Sequence, residues 1–287
     1  MKPFLCVDLT KDKKNEQING SEFLIEKPSA AIEQALQSYS EKADETINKS
    51  KLPLGLRIAH WICGAIGLVV AAGILKALVG EDGVSLGQAY QNAAWLFWLA
   101  GCCLFAWLIL KIISAKKENS VLGSEESQNT ITNLNSICDS IFSELSVPAY
   151  ASDVDILSFF YKVKDDSVKV CEKGLQLVPY LNPVFKMYVD SENLYLANLE
   201  GKYAIPLSSL RKISTVKKNI GVTSWNKEED CNEGRYKQYK ITTDNYGCIH
   251  FKPYHILEFT YDQEDWGIYF PCYELPVVEA LLGMKAE

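Results

Sequence analysis

Apolar residues are spread unevenly along this chain. From residue 58 to residue 114 apolar side chains predominate, broken by one short polar connection, while the flanks are rich in Lys, Glu, Asp, Asn and Ser. Two runs fill that block: Ile58 to Val79 (IAHWICGAIGLVVAAGILKALV) and Ala93 to Ile113 (AAWLFWLAGCCLFAWLILKII). Each has about the 20 residues that a helix rising ~1.5 Å per residue needs to cross a hydrocarbon core of roughly 30 Å. Neither run has a polar face, and a helix apolar all round needs lipid or a large protein about it. The rest of the chain is too small to surround two such helices. The pattern therefore predicts a transmembrane hairpin within residues 53–117, with the lipid bilayer as its solvent.

The charges in this block sit at its ends. Arg57 and His60 open the first run, Lys76 lies near its far end and Lys111 closes the second. Long basic side chains at such places snorkel to the headgroups. No ionisable residue falls mid-run, which marks an anchor rather than a conduit. Trp61, Tyr90, Trp95 and Trp107 lie near the span ends, where an aromatic belt forms. Lys49, Lys51 and Arg57 precede the hairpin and Lys111, Lys116 and Lys117 follow it, whereas the connection GEDGVSLGQAYQN carries Glu81 and Asp82 without Lys or Arg. The positive-inside rule then predicts two passes, both termini cytoplasmic and the short connection outside. Cys63, Gly67 and Ala71 recur at i, i+4, i+8 with Gly64 alongside, a small-residue stripe that allows close helix packing. Its partner is either the second span, the default given the short connection, or another copy of the chain, a self-association.

Before the hairpin, residues 1–52 read as a polar arm. Phe4–Val7 and Phe23–Ile25 are short apolar runs with a turn signal at Asn19-Gly20, which predicts a hairpin. Ser29 then suits an N-cap for a helix through Ala31, Leu36, Tyr39 and Ala43, ended ahead of Pro53. Two short strands are too few to stand alone, so the arm is expected to pack on a larger domain or on a partner. After the hairpin, residues 118–130 read as a polar linker. Residues 131–287 read as a helix followed by a β domain. Ile131, Leu134, Ile137, Ile141 and Leu145 give one apolar stripe, stopped by Pro148. From Val154 the period shortens to that of strands, with turns at Asp165-Asp166, Asp190–Asn193 and Glu200-Gly201. A last helix, ELPVVEALLGM, follows Pro271. The expected fold class is α+β: the membrane hairpin plus a small antiparallel β-barrel or sandwich with a C-terminal capping helix.

The formal charge of −7 over 287 residues gives no reason to expect nucleic acid as a partner. Nine cysteines, odd in number, scattered and without CxxC spacing, suggest neither a zinc site nor a disulfide framework but free thiols in a reducing compartment. The opening MKPFLCVDLTKDKKNEQ lacks the apolar core of a secretory signal, so targeting is expected from the internal segments. No phosphate-loop, dinucleotide, zinc-protease or nucleophile-elbow motif occurs, and His60, His250 and His255 are the only histidines. The expectation is a protein without catalysis, cofactor or metal. Two basic stretches remain. Arg211, Lys212, Lys217 and Lys218 are placed to meet anionic headgroups or a partner, at roughly 1 kcal/mol per basic residue near a membrane. Lys162, Lys164, Lys169 and Lys173 are diluted by Asp165, Asp166 and Glu172. The segment from Trp225 to Gly234 is a long polar loop of the kind that carries binding function.

The stretch YVDSENLYLANLEGKYAIPLSSLRKI, Tyr188 to Ile213, resembles the central meander of pleckstrin-homology-like (PH-like) domains of bacterial membrane proteins. The tail GIYFPCYELPVVEALLG, Gly267 to Gly283, resembles their last strand and capping helix, and two membrane helices ahead of such a domain resemble the YcxB-like bacterial proteins. The resemblance implies a cytoplasmic PH-like domain tethered to a bacterial plasma membrane. It implies a non-catalytic interaction or regulatory role toward a protein partner whose identity the residues leave open. The alternative is an accessory subunit of a membrane transporter or enzyme complex, assembling through its transmembrane helices.

Overall fold

Alternation, turns and apolar runs build two units in the computed structural model, which describes residues 1–8, 19–79, 85–164, 167–170, 184–223, 236–243 and 248–287. One unit is Glu33–Ile137; the other joins Met1–Ile32 to Cys138–Glu287.

The Glu33–Ile137 unit is helical. Helix α1 spans Ala30–Ser50. Pro53 lacks an amide hydrogen and disfavours helix in the residue before it, so the chain breaks there and α2 begins, Leu54–Val79. Helix α3 covers Leu86–Leu122. Its start is a capping box: the Gln88 amide donates to Ser85 Oγ at 3.3 Å and the Ser85 amide to Gln88 Oε1 at 3.3 Å. At Ala93 the backbone leaves helical geometry (φ −144°, ψ 38°), so a short segment precedes the long apolar one at the position where the sequence begins its second run. The stretch read as a polar linker, 118–130, is instead almost wholly helical. Helix α3 continues to Leu122 and α4, Glu125–Glu144, starts after a break at Gly123 and Ser124. Extending a formed helix needs no new nucleus, and Glu125 and Glu126 suit the positive end of the new one.

The other unit is β-rich. The N-terminal segments supply β1 (Lys2–Pro3), β2 (Val7–Asp8) and β3 (Leu24–Glu26). After α4 come β4 (Ser152–Asp155), β5 (Phe160–Lys164), β6 (Ser167–Val170), β7 (Val184–Val189), β8 (Asn193–Asn198) and β9 (Gly201–Pro206). Then follow β10 (Leu210–Val216), β11 (Ile220–Thr223), β12 (Thr242–Thr243), β13 (Cys248–Phe251), β14 (Tyr254–Tyr261) and β15 (Glu264–Pro271), and finally helix α5 (Leu275–Leu282). The turns have local causes. Asp190 Oδ1 accepts from the amides of Glu192 (2.8 Å) and Asn193 (2.7 Å) between β7 and β8. Asn198 Oδ1 does the same for Glu200 (3.0 Å) and Gly201 (3.1 Å) between β8 and β9. Asp262 and Gln263, both at positive φ, form the two-residue turn between β14 and β15.

Sheet order is β3-β9-β8-β7-β4 in one sheet and β1-β15-β14-β10 in another, with small sheets β2-β5-β6 and β11-β13-β12. The two larger sheets share one core: Phe185, Met187, Leu194, Leu196 and Ile205 from the first, Ile213, Leu257, Phe259, Ile268 and Phe270 from the second, with Val278 of α5. The last turns of α4 join this unit. Ile141 and Leu145 are fully buried, and Lys202 donates to the Leu145 carbonyl at 2.7 Å while pairing with Glu26. The stripe on α4 is thus buried only toward its end, and Ile131 is 48% exposed.

Three expectations are corrected. No closed barrel forms among the described residues: the turn at Leu207–Ser209 carries the chain from β9 in one sheet to β10 in the other, so the ladder is interrupted rather than circular. The sheets are not wholly antiparallel, since β1 runs parallel to β15 and β2 to β5. Nor do the N-terminal apolar runs form a hairpin of their own. Leu5, Cys6 and Asn19 exchange backbone hydrogen bonds (2.9 and 3.0 Å), but β1 and β3 add to edges of different sheets. An isolated two-stranded ribbon buries too little apolar surface. Here Phe4 and Phe23 instead enter the shared core, Phe23 packing edge-on to Phe259 (5.4 Å) and Trp266 (5.2 Å). Gly20 allows this, because its φ of 104° suits glycine and a Cβ there would lie 2.7 Å from the Phe4 ring.

Candidate functional site

Helices α2 and α3 pack through their small residues. A Cβ on Gly64 would lie 2.8 Å from Trp107, and one on Gly67 2.8 Å from Leu104. On α3 the less exposed positions Ala93, Leu96, Ala100, Cys103, Trp107, Leu110, Ser114 and Lys117 alternate three and four residues apart. On α2, His60, Gly64, Gly67, Ala71, Ile74 and Leu78 do likewise. This spacing keeps one seam in contact along a supercoiled pair. Gly67 therefore lies in the seam, with Cys63 and Ala71 half-buried beside it. The opposite faces are apolar and open: Trp61 is 76% exposed, Val69 71% and Val79 81%. Only 11% of the most apolar stretch of α2 and 6% of that of α3 is buried, although both helices are long and apolar enough to cross a membrane. A core helix of a water-soluble protein has the reverse distribution.

At the Pro53 end of this pair lies a cavity of about 340 Å³, lined by Arg57, His60 and Trp61 of α2 and by Lys111, Ser114 and Glu118 of α3. Spacings of three to four residues put each set on one helix face. The His60 ring stacks on Trp107 (centroids 5.8 Å apart, 15° between planes), and the Lys111 ammonium lies 5.3 Å from the centre of the same indole. Nearby, Lys117 Nζ donates to the Lys51 carbonyl at 2.7 Å, tying the start of α2 to α3. His60 Nε2 is buried with no hydrogen-bond partner. An unpaired buried polar atom costs about 1–3 kcal/mol. Nothing local in the sequence joins Arg57 and His60 to Lys111, since they lie on different helices. The seam spacing is the signal that would have paired them.

The β unit holds the other expected residues, and it separates them. Arg211 and Lys212 lie at the start of β10, while Lys217 and Lys218 are exposed just beyond its end. A strand rising ~3.3 Å per residue puts the two pairs about 20 Å apart. Arg211 Nη1 also donates to Asp265 Oδ1 at 2.8 Å, and Lys212 Nζ lies 3.9 Å from a Glu287 carboxylate oxygen. The Thr260 hydroxyl first, and Arg211 second, hold the Asp265 carboxyl below its ordinary range. The first two cations therefore face carboxylates of their own chain. Lys162 is exposed on β5, opposite Lys169 on β6. Lys173, the Asp165-Asp166 turn and the loop from Trp225 to Gly234 lie outside the described residues.

Two cysteines and one histidine of the β unit are packed in its core. Burial pushes the Cys6 thiol up to about 12 and the Cys272 thiol up to about 11, which leaves both as thiols rather than nucleophilic thiolates. His255 is buried against Phe270, with Nδ1 3.2 Å from Thr215 Oγ1, a packed core histidine. Among the described residues no three His, Cys, Asp or Glu side chains gather as metal ligands. Compared with known proteins, the chain matches no family model, no curated protein and no solved structure.

Proposed function

We propose that this chain is a membrane-anchored, non-catalytic interaction or regulatory protein of the bacterial plasma membrane. In this reading α2 and α3 are two passes of an anchor, both termini are cytoplasmic, and the β unit is a PH-like module that engages a protein partner on the cytoplasmic side. The observation that carries the reading is the contrast between the units: the helical pair exposes its apolar side chains, whereas the β unit buries its own. Orientation rests on the Lys and Arg residues that flank the hairpin and are missing from its connection.

The PH-like reading draws support from chain order. Leaving aside the N-terminal strands and the two small sheets, β4, β7, β8 and β9 share one sheet, β10, β14 and β15 share the next, and α5 follows directly. The β7-β8-β9 meander and the closing helix are features that the resemblance implies. Assembly into a larger complex through the Gly67 stripe is less favoured, because Gly64 and Gly67 already pack against Trp107 and Leu104 of the same chain.

Crosslinking with mass spectrometry in native membranes tests the reading. Reproducible crosslinks from lysines of the β unit, such as Lys162 or Lys218, to one other protein are expected. Crosslinks confined to lipid and to the chain itself would sink the interaction role.

A further inference from the structure

We propose that the cavity at the Pro53 end of α2 and α3 is a binding site for the phosphate of an anionic lipid headgroup. This rests on the membrane reading above, which places that end at the cytoplasmic leaflet. The chemistry converges from two helices. Arg57 of α2 supplies a planar fork that matches two phosphate oxygens, and Lys111 of α3 supplies a compact ammonium. His60 lines the same space, stacked on Trp107 of the α2–α3 pair. The single lining carboxylate, Glu118, leaves the site cationic and is the group that accepts from a headgroup hydroxyl.

Shape and depth agree with this ligand. A volume of about 340 Å³ is at the small end of the range for small-molecule sites, suiting a phosphoglycerol unit rather than a whole lipid. Outside the cavity, Ile58, Ile62 and Ile112 are about half exposed, an apolar surface along which acyl chains can run. Trp61, 76% exposed at the rim, is the residue type that settles at headgroup depth. A free phosphate would share the polar contacts but not this apolar surface.

The test uses the full-length protein in nanodiscs and native mass spectrometry of the detergent-solubilised chain with phosphatidylglycerol, phosphatidylcholine and soluble glycerol phosphate. One phosphatidylglycerol is expected to bind saturably, in preference to phosphatidylcholine. Arg57→Gln combined with Lys111→Gln is expected to weaken it about 30-fold, the loss of two basic residues near a membrane surface. His60→Phe, which keeps the stack on Trp107, is expected to weaken it less, and Lys76→Gln at the opposite end of α2 not at all. Equal binding of the two lipids, or an unchanged affinity in the double variant, overturns the site. Glycerol phosphate that binds as tightly as the lipid overturns the lipid assignment. Retention of the variants in carbonate-washed membranes separates these outcomes from failure of the anchor. A chain that washes off is a failure of the membrane reading itself.

Discussion

The two units of this chain solve opposite packing problems with nearly the same residue types. In the β unit the largest side chains point inward: Phe4, Phe185, Phe259 and Phe270 are fully buried between two sheets. In the helical pair most of the largest point outward and the smallest inward: Trp61, Trp95 and Trp98 are exposed while Gly64, Gly67 and Ala100 are buried, Trp107 alone among the tryptophans of the pair lying in the seam. Water drives the first arrangement, because removing apolar surface from it is favourable. In lipid that drive disappears between helices, and close backbone approach decides instead. On the membrane reading proposed above, the placement of large residues follows the solvent of each unit.

Four changes break or sharpen this contrast. The largest effect is expected from Phe259→Ala. It leaves a cavity between the sheets and should cost about 3–5 kcal/mol, read as a lower denaturant midpoint for the β unit of the full chain. A loss under about 1 kcal/mol would mean that the shared core is not closed. Next is Val69→Arg on the open face of α2. In water it is a mild surface change, but in lipid it should raise the apparent cost of insertion by about 2.5–3.5 kcal/mol, measured with a glycosylation-tagged span in microsomes. Unaltered insertion would count against α2 as a span.

Gly67→Leu comes third. Its Cβ meets Leu104 at 2.8 Å, so the helices must separate at a cost of about 1–3 kcal/mol, seen as a lower melting temperature of the detergent-solubilised chain. Gly73→Leu is the control, because nothing lies within 4 Å of a Cβ there. Equal effects would contradict the seam. The smallest effect concerns pH. Burial first holds the His255 imidazolium form below its ordinary range, with Glu279 opposing. The folded chain therefore binds this proton less readily than the unfolded one. Its stabilising effect is full above about pH 6.5 and fades as pH falls through the lowered folded value. Replacing His255 with Asn should flatten stability over that window, and an unchanged slope would assign it to other groups.

The helical pair was legible in the sequence because apolar character on every side of a run is a local property. Even the start of the second span, Ala93, coincides with a break in the backbone. The β unit was legible in kind but not in closure. Turn residues such as Asp190 and Asn198 announced the meander, yet nothing local announces that β9 passes to another sheet before β10. The N-terminal strands were misread because Asn19-Gly20 favours a local hairpin, whereas Lys2 pairs beside Trp266, far along the chain, where a core awaits Phe4 and Phe23. The basic residues from Arg211 to Lys218 are neighbours in sequence along one strand and its end. Extended backbone pulls them apart, and Asp265 and Glu287 face two of them. The cavity with Arg57, His60 and Lys111 was missed for the converse reason: its residues are distant in sequence and meet only through the α2–α3 seam.

The central claim is that α2 and α3 cross a membrane and return the chain to the side it left. Cysteine accessibility in intact cells tests it most directly, with the native thiols of the parent chain as background. A Ser85→Cys variant, in the connection, should be labelled by a membrane-impermeant maleimide from outside, while Ser50→Cys and Ser124→Cys, before and after the hairpin, should be labelled only once the cells are opened. Labelling of all three from outside, or of none until lysis, would contradict the two-pass anchor.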